Sequence, residues 1–189
     1  MENSYKENTK HISEYPHDHT VSSLSLKILN KYHNNFFLET GSNIGEGIQV
    51  ALNAGFKNII SIDVEEKYVN ICKKRFADFP NVKVLLGDSS KDLFNIISEI
   101  NEPITFWLDG HNYYSIPLVE ELEQIKKHSI KNNIILIDDV RMFSTDSWNN
   151  LSQNTILNKI KEINNDYVFS YENSPNGEND ILVANIKND

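Results

Sequence analysis

Five times between residues 36 and 139, a short apolar run stops at an acidic residue or within two positions of one. The first is Phe36-Phe37-Leu38-Glu39, followed by Thr40-Gly41-Ser42-Asn43-Ile44-Gly45-Glu46-Gly47. Ile44, Ile48, Ala51 and Leu52 then recur at helical spacing. That pattern predicts a strand, a tight turn and a helix N-terminus. Gly41 and Gly45 let the backbone bend sharply and let a ligand approach it closely. The next run, Asn58–Asp63, also ends in a carboxylate, which can accept from both hydroxyls of a ribose. Together they predict a nucleoside site at the carboxyl edge of a parallel sheet.

The rest of the chain keeps this rhythm. The first helix after the turn is expected over 44–54, with Gly55 as its stop. A second carries Val69, Cys72 and Phe76 and ends before Pro80. A strand over 82–86 leads to Gly87-Asp88-Ser89, where Ser89 or Ser90 is the expected cap of a helix bearing Leu93, Ile96, Ile97 and Ile100. A strand over 104–108 leads to Asp109, and Pro117 suits the start of a helix with Leu118, Leu122 and Ile125. The fifth strand, 133–137, ends in Asp138-Asp139. After a helix with Ile156, Leu157, Ile160 and Ile163, the runs 167–172 and 180–186 leave no room for a helix between them, which predicts an edge hairpin. Strands separated by helices imply right-handed crossovers and a doubly wound α/β sheet.

At 189 residues the chain is long enough for one substantial core, divided here into an N-terminal arm and helix over 1–35 and a ligand-binding domain over 36–189. Ser22 or Ser23 is the expected cap of the helix in that first segment, which carries Leu24, Ile28 and Leu29 and ends near Asn34. The arm holds His11, Tyr15, His17, Asp18 and His19 and could serve as a lid or bind a metal. No apolar run approaches the roughly 20 residues that span a bilayer, and residues 1–10 are polar, so a cytoplasmic protein without membrane contact is expected. A net charge of −9 disfavours nucleic acid as a partner. Lys73, Lys74 and Arg75 fit a solvated helix face, and the single cysteine, Cys72, fits a buried inert thiol.

Five βα units, a closing hairpin and Glu39-x-Gly41-x-x-x-Gly45 resemble the class I S-adenosylmethionine-dependent methyltransferases. The resemblance implies a Rossmann-like, seven-stranded, mostly parallel sheet of order 3-2-1-4-5-7-6 with the last strand antiparallel. It implies a cofactor site of Glu39, Thr40, Gly41, Ser42, Gly45, Asp63, Val64, Asp88, Ser89 and Asp109, with Glu39 and Gly41 toward the methionine end, Asp63 at the ribose hydroxyls, Asp88 and Ser89 by the adenine, and Asp109 near the methyl group. The usual middle glycine of the loop is replaced by Asn43. Trp107-Leu108-Asp109-Gly110-His111 and Leu136-Ile137-Asp138-Asp139 further resemble the metal-binding positions of catechol-type and macrolide-sugar O-methyltransferases. Asp109, Asp138 and Asp139 would then hold Mg²⁺, a hard cation suited to oxygen ligands. His111 is the candidate general base, with Asp109 beside the reacting centre. Tyr113, Tyr114, Arg141, Phe143 and Trp148 are candidates for the acceptor pocket. The expected partner is a small-molecule or glycan acceptor, with a homodimer left open. Metal-free N- or O-methylation, or a module that binds S-adenosylmethionine without turnover, are the alternatives.

Overall fold

The computed structural model describes residues 22–111 and 115–186. The His-rich arm and the two tyrosines Tyr113 and Tyr114 lie outside the described residues. The elements run α1 (Leu26–Lys31), β1 (Phe36–Thr40), α2 (Glu46–Ala54), β2 (Asn58–Asp63), α3 (Glu66–Arg75), β3 (Val82–Leu86), α4 (Ser89–Ile97), β4 (Ile104–Leu108), α5 (Leu118–Lys127), β5 (Ile134–Ile137), α6 (Gln153–Ile163), β6 (Val168–Ser174) and β7 (Gly177–Asn185). Two short 3₁₀ turns, Val140–Met142 and Asp146–Trp148, lie between β5 and α6.

The strands form one sheet of order β3-β2-β1-β4-β5-β7-β6. β1 to β5 pair in parallel, and β7 runs antiparallel to both β5 and β6. Successive strand residues point to opposite faces, so a strand covered on both sides must be apolar throughout. Phe37 and Leu38 illustrate this: both are fully buried, in different cores. Leu38 packs on the face covered by α4, α5 and α6, with Leu93, Leu122 and Ile160. Phe37 packs on the other face with Ile48 of α2 and Val69 and Cys72 of α3. Ile28 and Leu29 of α1 belong to that second core.

Several boundaries differ from the expectation. α1 is capped by Ser25, whose side chain accepts from Ile28 N, and ends at Lys31. α4 is capped by Asp88, whose carboxylate accepts from Ser90 N; Ser89 and Ser90 fall inside the helix, and Ile100 lies beyond its end. β1 runs one residue further, to Thr40, because the ladder to β2 and β4 continues through Thr40↔Ile62 and Thr40↔Leu108. The hairpin is tighter than expected, with only Pro175 and Asn176 between its strands. Cys72 is fully buried, and burial pushes its thiol up to about 12, which makes it inert. Arg75 is not simply solvated: its Nη1 donates to the Ile44 carbonyl at 2.8 Å.

Candidate active site

The loop after β1 is held by the strand beside it. Gly41 takes φ +84°, and a Cβ there would come within 2.4 Å of the Asp109 carbonyl oxygen, so only glycine lets β1 and β4 open onto a common edge. Asn43, where a third glycine would be usual, adopts φ 44°, a left-handed conformation that asparagine tolerates. The departure in sequence therefore leaves the backbone path unchanged in kind. Asn43 N donates to Asp63 Oδ2 at 3.0 Å, and Glu65 N donates to Asp63 Oδ1 at 2.8 Å. Burial pushes the Asp63 carboxyl above its usual value, against the pull of those backbone donors.

Glu39 lies beneath the loop. Its Oε1 accepts from Ser61 Oγ at 2.7 Å, and Ser61 Oγ lies 2.5 Å from Ser42 Oγ. Its Oε2 would stand 1.9 Å from a Cβ on Gly47, so the carboxylate rests directly on the first turn of α2. Burial pushes Glu39 up to about 8. Thr40 is buried beside the Glu121 carboxylate, which its side chain helps to hold, while Gly45 packs on Phe76 and Cys72.

A groove of about 500 Å³ runs along the carboxyl ends of β1 to β5. Its walls include Gly41, Asn43, Asp63, Val64, Asp88, Ser89, Asp109, His111, Asp138 and Asp139. Val64 is 57% exposed and presents an apolar surface in this otherwise polar cleft. A smaller adjoining cavity is bordered by Glu39, Ser42 and Glu46 and shares Gly41 and Asp109 with the groove. The expected site residues other than Thr40 and Gly45 thus border one or other of two connected spaces.

The acids after β4 and β5 converge. His111 Nε2 lies 2.7 Å from Asp139 Oδ2, and His111 Nδ1 lies 3.6 Å from Asp109 Oδ1. The imidazole meets the Trp148 ring edge-on at 5.0 Å, and Phe143 meets the same ring edge-on at 5.2 Å. Both aromatics are therefore buried supports of the site. Arg141 Nη1 lies 2.6 Å from Asp139 Oδ1 and also pairs with Asp180 of β7. Burial pushes Asp139 up, but the His111 hydrogen bond and the Arg141 charge outweigh it and hold the carboxyl below its ordinary value. Asp139 reaches this position in a left-handed conformation, φ 58°. Asp109 keeps 34% of its side-chain surface open, yet its close surroundings push it well above a normal carboxyl, first by desolvation and then by the charges of Asp138 and Asp139.

The residues fit a divalent cation in part. Asp138 Oδ1 is buried with no hydrogen-bond partner among the described residues, an acceptor that a cation would satisfy. Among the described residues, however, the acids close enough to share a cation are Asp138, Asp139 and Asp180, with ligand atoms within 4.8 Å of one another, and Asp109 is not in that set. Asp180 was not evident in the sequence, because its place beside Asp139 depends on the β5–β7 register, Ile137↔Leu182. Glu121 was also missed. It is buried on α5, accepts from Ser89 Oγ at 2.6 Å, and is pushed by burial up to about 7. Its signal was available: Glu121 sits three residues after Leu118 and four before Ile125, on the apolar stripe itself.

The strand order, the reversed β7 and the groove at the carboxyl edge define the Rossmann-like fold of class I S-adenosylmethionine-dependent methyltransferases. Among solved structures, a Podospora anserina methyltransferase with S-adenosylhomocysteine bound superposes with a TM-score of 0.64 at 13% identity, covering 97% of this chain and 87% of that one. An O-methyltransferase from Bacillus cereus, also with S-adenosylhomocysteine, gives 0.62 at 17%, covering 98% and 90%. An rRNA methylase from Streptococcus thermophilus gives 0.52 at 14%, covering 86% and 94%. No protein-family model and no curated protein matches the sequence. No helix among the described residues is long and apolar enough to cross a membrane.

Proposed function

We propose that the chain is an S-adenosylmethionine-dependent methyltransferase that acts on a hydroxyl, with a divalent cation assisting. One observation carries the reading: Asp63, Asp88, Asp109, Asp138 and Asp139 border a single groove at the carboxyl edge of the sheet. That rim repels a pyrophosphate and attracts a sulfonium. Under this reading Asp63 accepts from the ribose hydroxyls, and Val64 covers a face of the adenine. Ser89 and Asp88 flank the base edge. Gly41 and Ser42 border the methionine end, which Glu39, Thr40 and Gly45 shape from beneath. Asp109 lies beside the methyl group.

His111 is the general base. Its Nε2–H donates to Asp139, which leaves Nδ1 with a free lone pair. Nδ1 takes the proton of the acceptor hydroxyl as that oxygen attacks the methyl carbon. The C–S bond breaks with its electron pair on sulfur, and S-adenosylhomocysteine leaves. Asp138, Asp139 and Asp109 would hold Mg²⁺, which lowers the pKa of a coordinated hydroxyl when bound. Ser23, Arg141 and Asn176 border the acceptor end of the groove, and their polarity favours a small hydroxylated acceptor, a sugar or polyol on a metabolite or glycan. Metal-free transfer is the second reading, favoured by Arg141 and His111 already balancing the charge of Asp139.

Calorimetry with S-adenosylhomocysteine and with NAD tests the cofactor class: micromolar binding of the former alone is expected. Binding of NAD instead, or of neither at millimolar concentration, rejects the proposal. With an acceptor in hand, activity lost in EDTA and restored by Mg²⁺ supports the cation, and EDTA-resistant turnover selects the metal-free reading.

A further inference from the structure

We propose that Glu121, which lines no part of the groove, sets the hydrogen bond that Ser89 offers to the bound nucleoside, and so favours a base carrying an amino group over one carrying a carbonyl. This inference rests on the cofactor reading above.

Ser89 borders the groove beside Val64, and its hydroxyl has a single proton. That proton goes to Glu121 Oε1 at 2.6 Å. Glu121 is only 1% exposed, so no water competes for the bond, and at pH 8 the carboxylate, pushed up to about 7, is ionised and can only accept. Gly110 leaves room for this oxygen, since a Cβ there would come within 3.0 Å of it. Gln124 of α5 ties the two helices a second time, donating to the Ser90 carbonyl at 3.0 Å. With its proton spent inward, Ser89 Oγ has only lone pairs left to offer a ligand. A lone pair matches the exocyclic amine of adenine and mismatches the carbonyl of hypoxanthine.

Asp88, the other polar group at this end, is largely engaged already. Its Oδ1 accepts from Ser90 N at 3.1 Å and Ser90 Oγ at 2.5 Å, and its Oδ2 pairs with Lys91 Nζ at 2.6 Å. Three of the roughly four acceptor positions of a carboxylate are thus taken. Asp88 therefore keeps about one acceptor position for the base, and the orientation of Ser89 sets a further part of the preference.

The test is a comparison of two ligands, S-adenosylhomocysteine and S-inosylhomocysteine, by calorimetry at pH 8. The wild-type chain should prefer the adenine compound. Ser89→Ala and Glu121→Leu should each lower that preference roughly 3- to 10-fold, the worth of one neutral hydrogen bond. The double variant should lower it no further, because both changes remove the same contact. Glu121→Gln, which keeps the shape but weakens the hold on the hydroxyl, should lower it by about twofold and gives a readout if the leucine variant does not fold. A structural role alone would weaken both ligands equally and leave the ratio unmoved. An unchanged ratio in Ser89→Ala, or in the Glu121 variants that fold, overturns the inference. Absence of binding of either ligand to wild type defeats the methyltransferase reading itself.

Discussion

His111 Nε2 stands 2.7 Å from Asp139 Oδ2, so the loop after β4 and the loop after β5 supply one pair across neighbouring strands. Parallel pairing of Leu108 with Ile137 is what brings them together. A carboxylate that holds one imidazole nitrogen leaves the other free to take a proton, and that pairing is the basis of the first prediction.

His111→Ala should lower methyl transfer by about 10²- to 10⁴-fold, the usual worth of a general base, while S-adenosylhomocysteine affinity stays within about threefold. Asp139→Asn should lower transfer as well, because the amide can no longer fix the imidazole tautomer. Stopped turnover assays beside calorimetry check both. Equal losses in turnover and ligand affinity would show His111 to be a binding residue instead.

On the cation reading, Arg141 and a divalent cation would compete for the same oxygens. Arg141 Nη1 sits 2.6 Å from Asp139 Oδ1, and 40% of its side chain is exposed, so it can withdraw. Arg141→Met should tighten Mn²⁺ binding by about tenfold, the removal of one partly screened charge. Asp138→Asn should weaken it. A calorimetric Mn²⁺ titration reads both directly. Identical affinity in Arg141→Met and wild type would separate the guanidinium from the cation site.

Asp63→Ala should affect ligand and fold together. The carboxylate accepts from Asn43 N and Glu65 N, so its loss frees two backbone donors as well as the proposed ribose contact. We expect S-adenosylhomocysteine affinity to fall at least tenfold and stability to fall by about 3–6 kcal/mol, two hydrogen bonds to a charged group. Urea unfolding measured with and without ligand checks each part. Unchanged affinity in a folded variant removes Asp63 from the ribose.

Glu121 makes stability depend on pH. Its carboxyl is raised from 4.5 to about 7 by burial, so the folded state holds its proton more tightly than the unfolded chain. That contribution is full below pH 4.5 and is lost as pH rises to about 7. Glu121→Gln does not titrate. The stability of the variant relative to wild type should therefore rise between pH 4.5 and 7 and level off above it, by up to about 3 kcal/mol. Thermal melts across that range test this; a difference independent of pH would place the carboxyl near its ordinary value.

The strand runs and their terminal acids were legible one segment at a time. Phe37 and Leu38 had to be buried on opposite faces, and Gly41 had to turn, because side-chain alternation and backbone sterics act within a few residues. The strand-end acids Asp63, Asp109 and Asp138 were placed by the same local logic. Asp88 was misjudged as a residue before the cap rather than the cap itself, since Asp, Ser and Ser in succession satisfy the same backbone donors equally well in sequence.

What local pattern could not reach was any contact made by pairing or packing at long range. Asp180 joins Asp138 and Asp139 only through the register of β5 on β7, and Arg141 lies between Asp139 and Asp180 only because that register holds. Glu121 meets Ser89 through the packing of α5 on α4. Periodicity along the chain thus settled the elements and the acidic edge, whereas the partner of each carboxylate, and with it each charge state, was decided by the tertiary fold. Burial and the distance between charges are properties of the assembled molecule, and no single segment carries them.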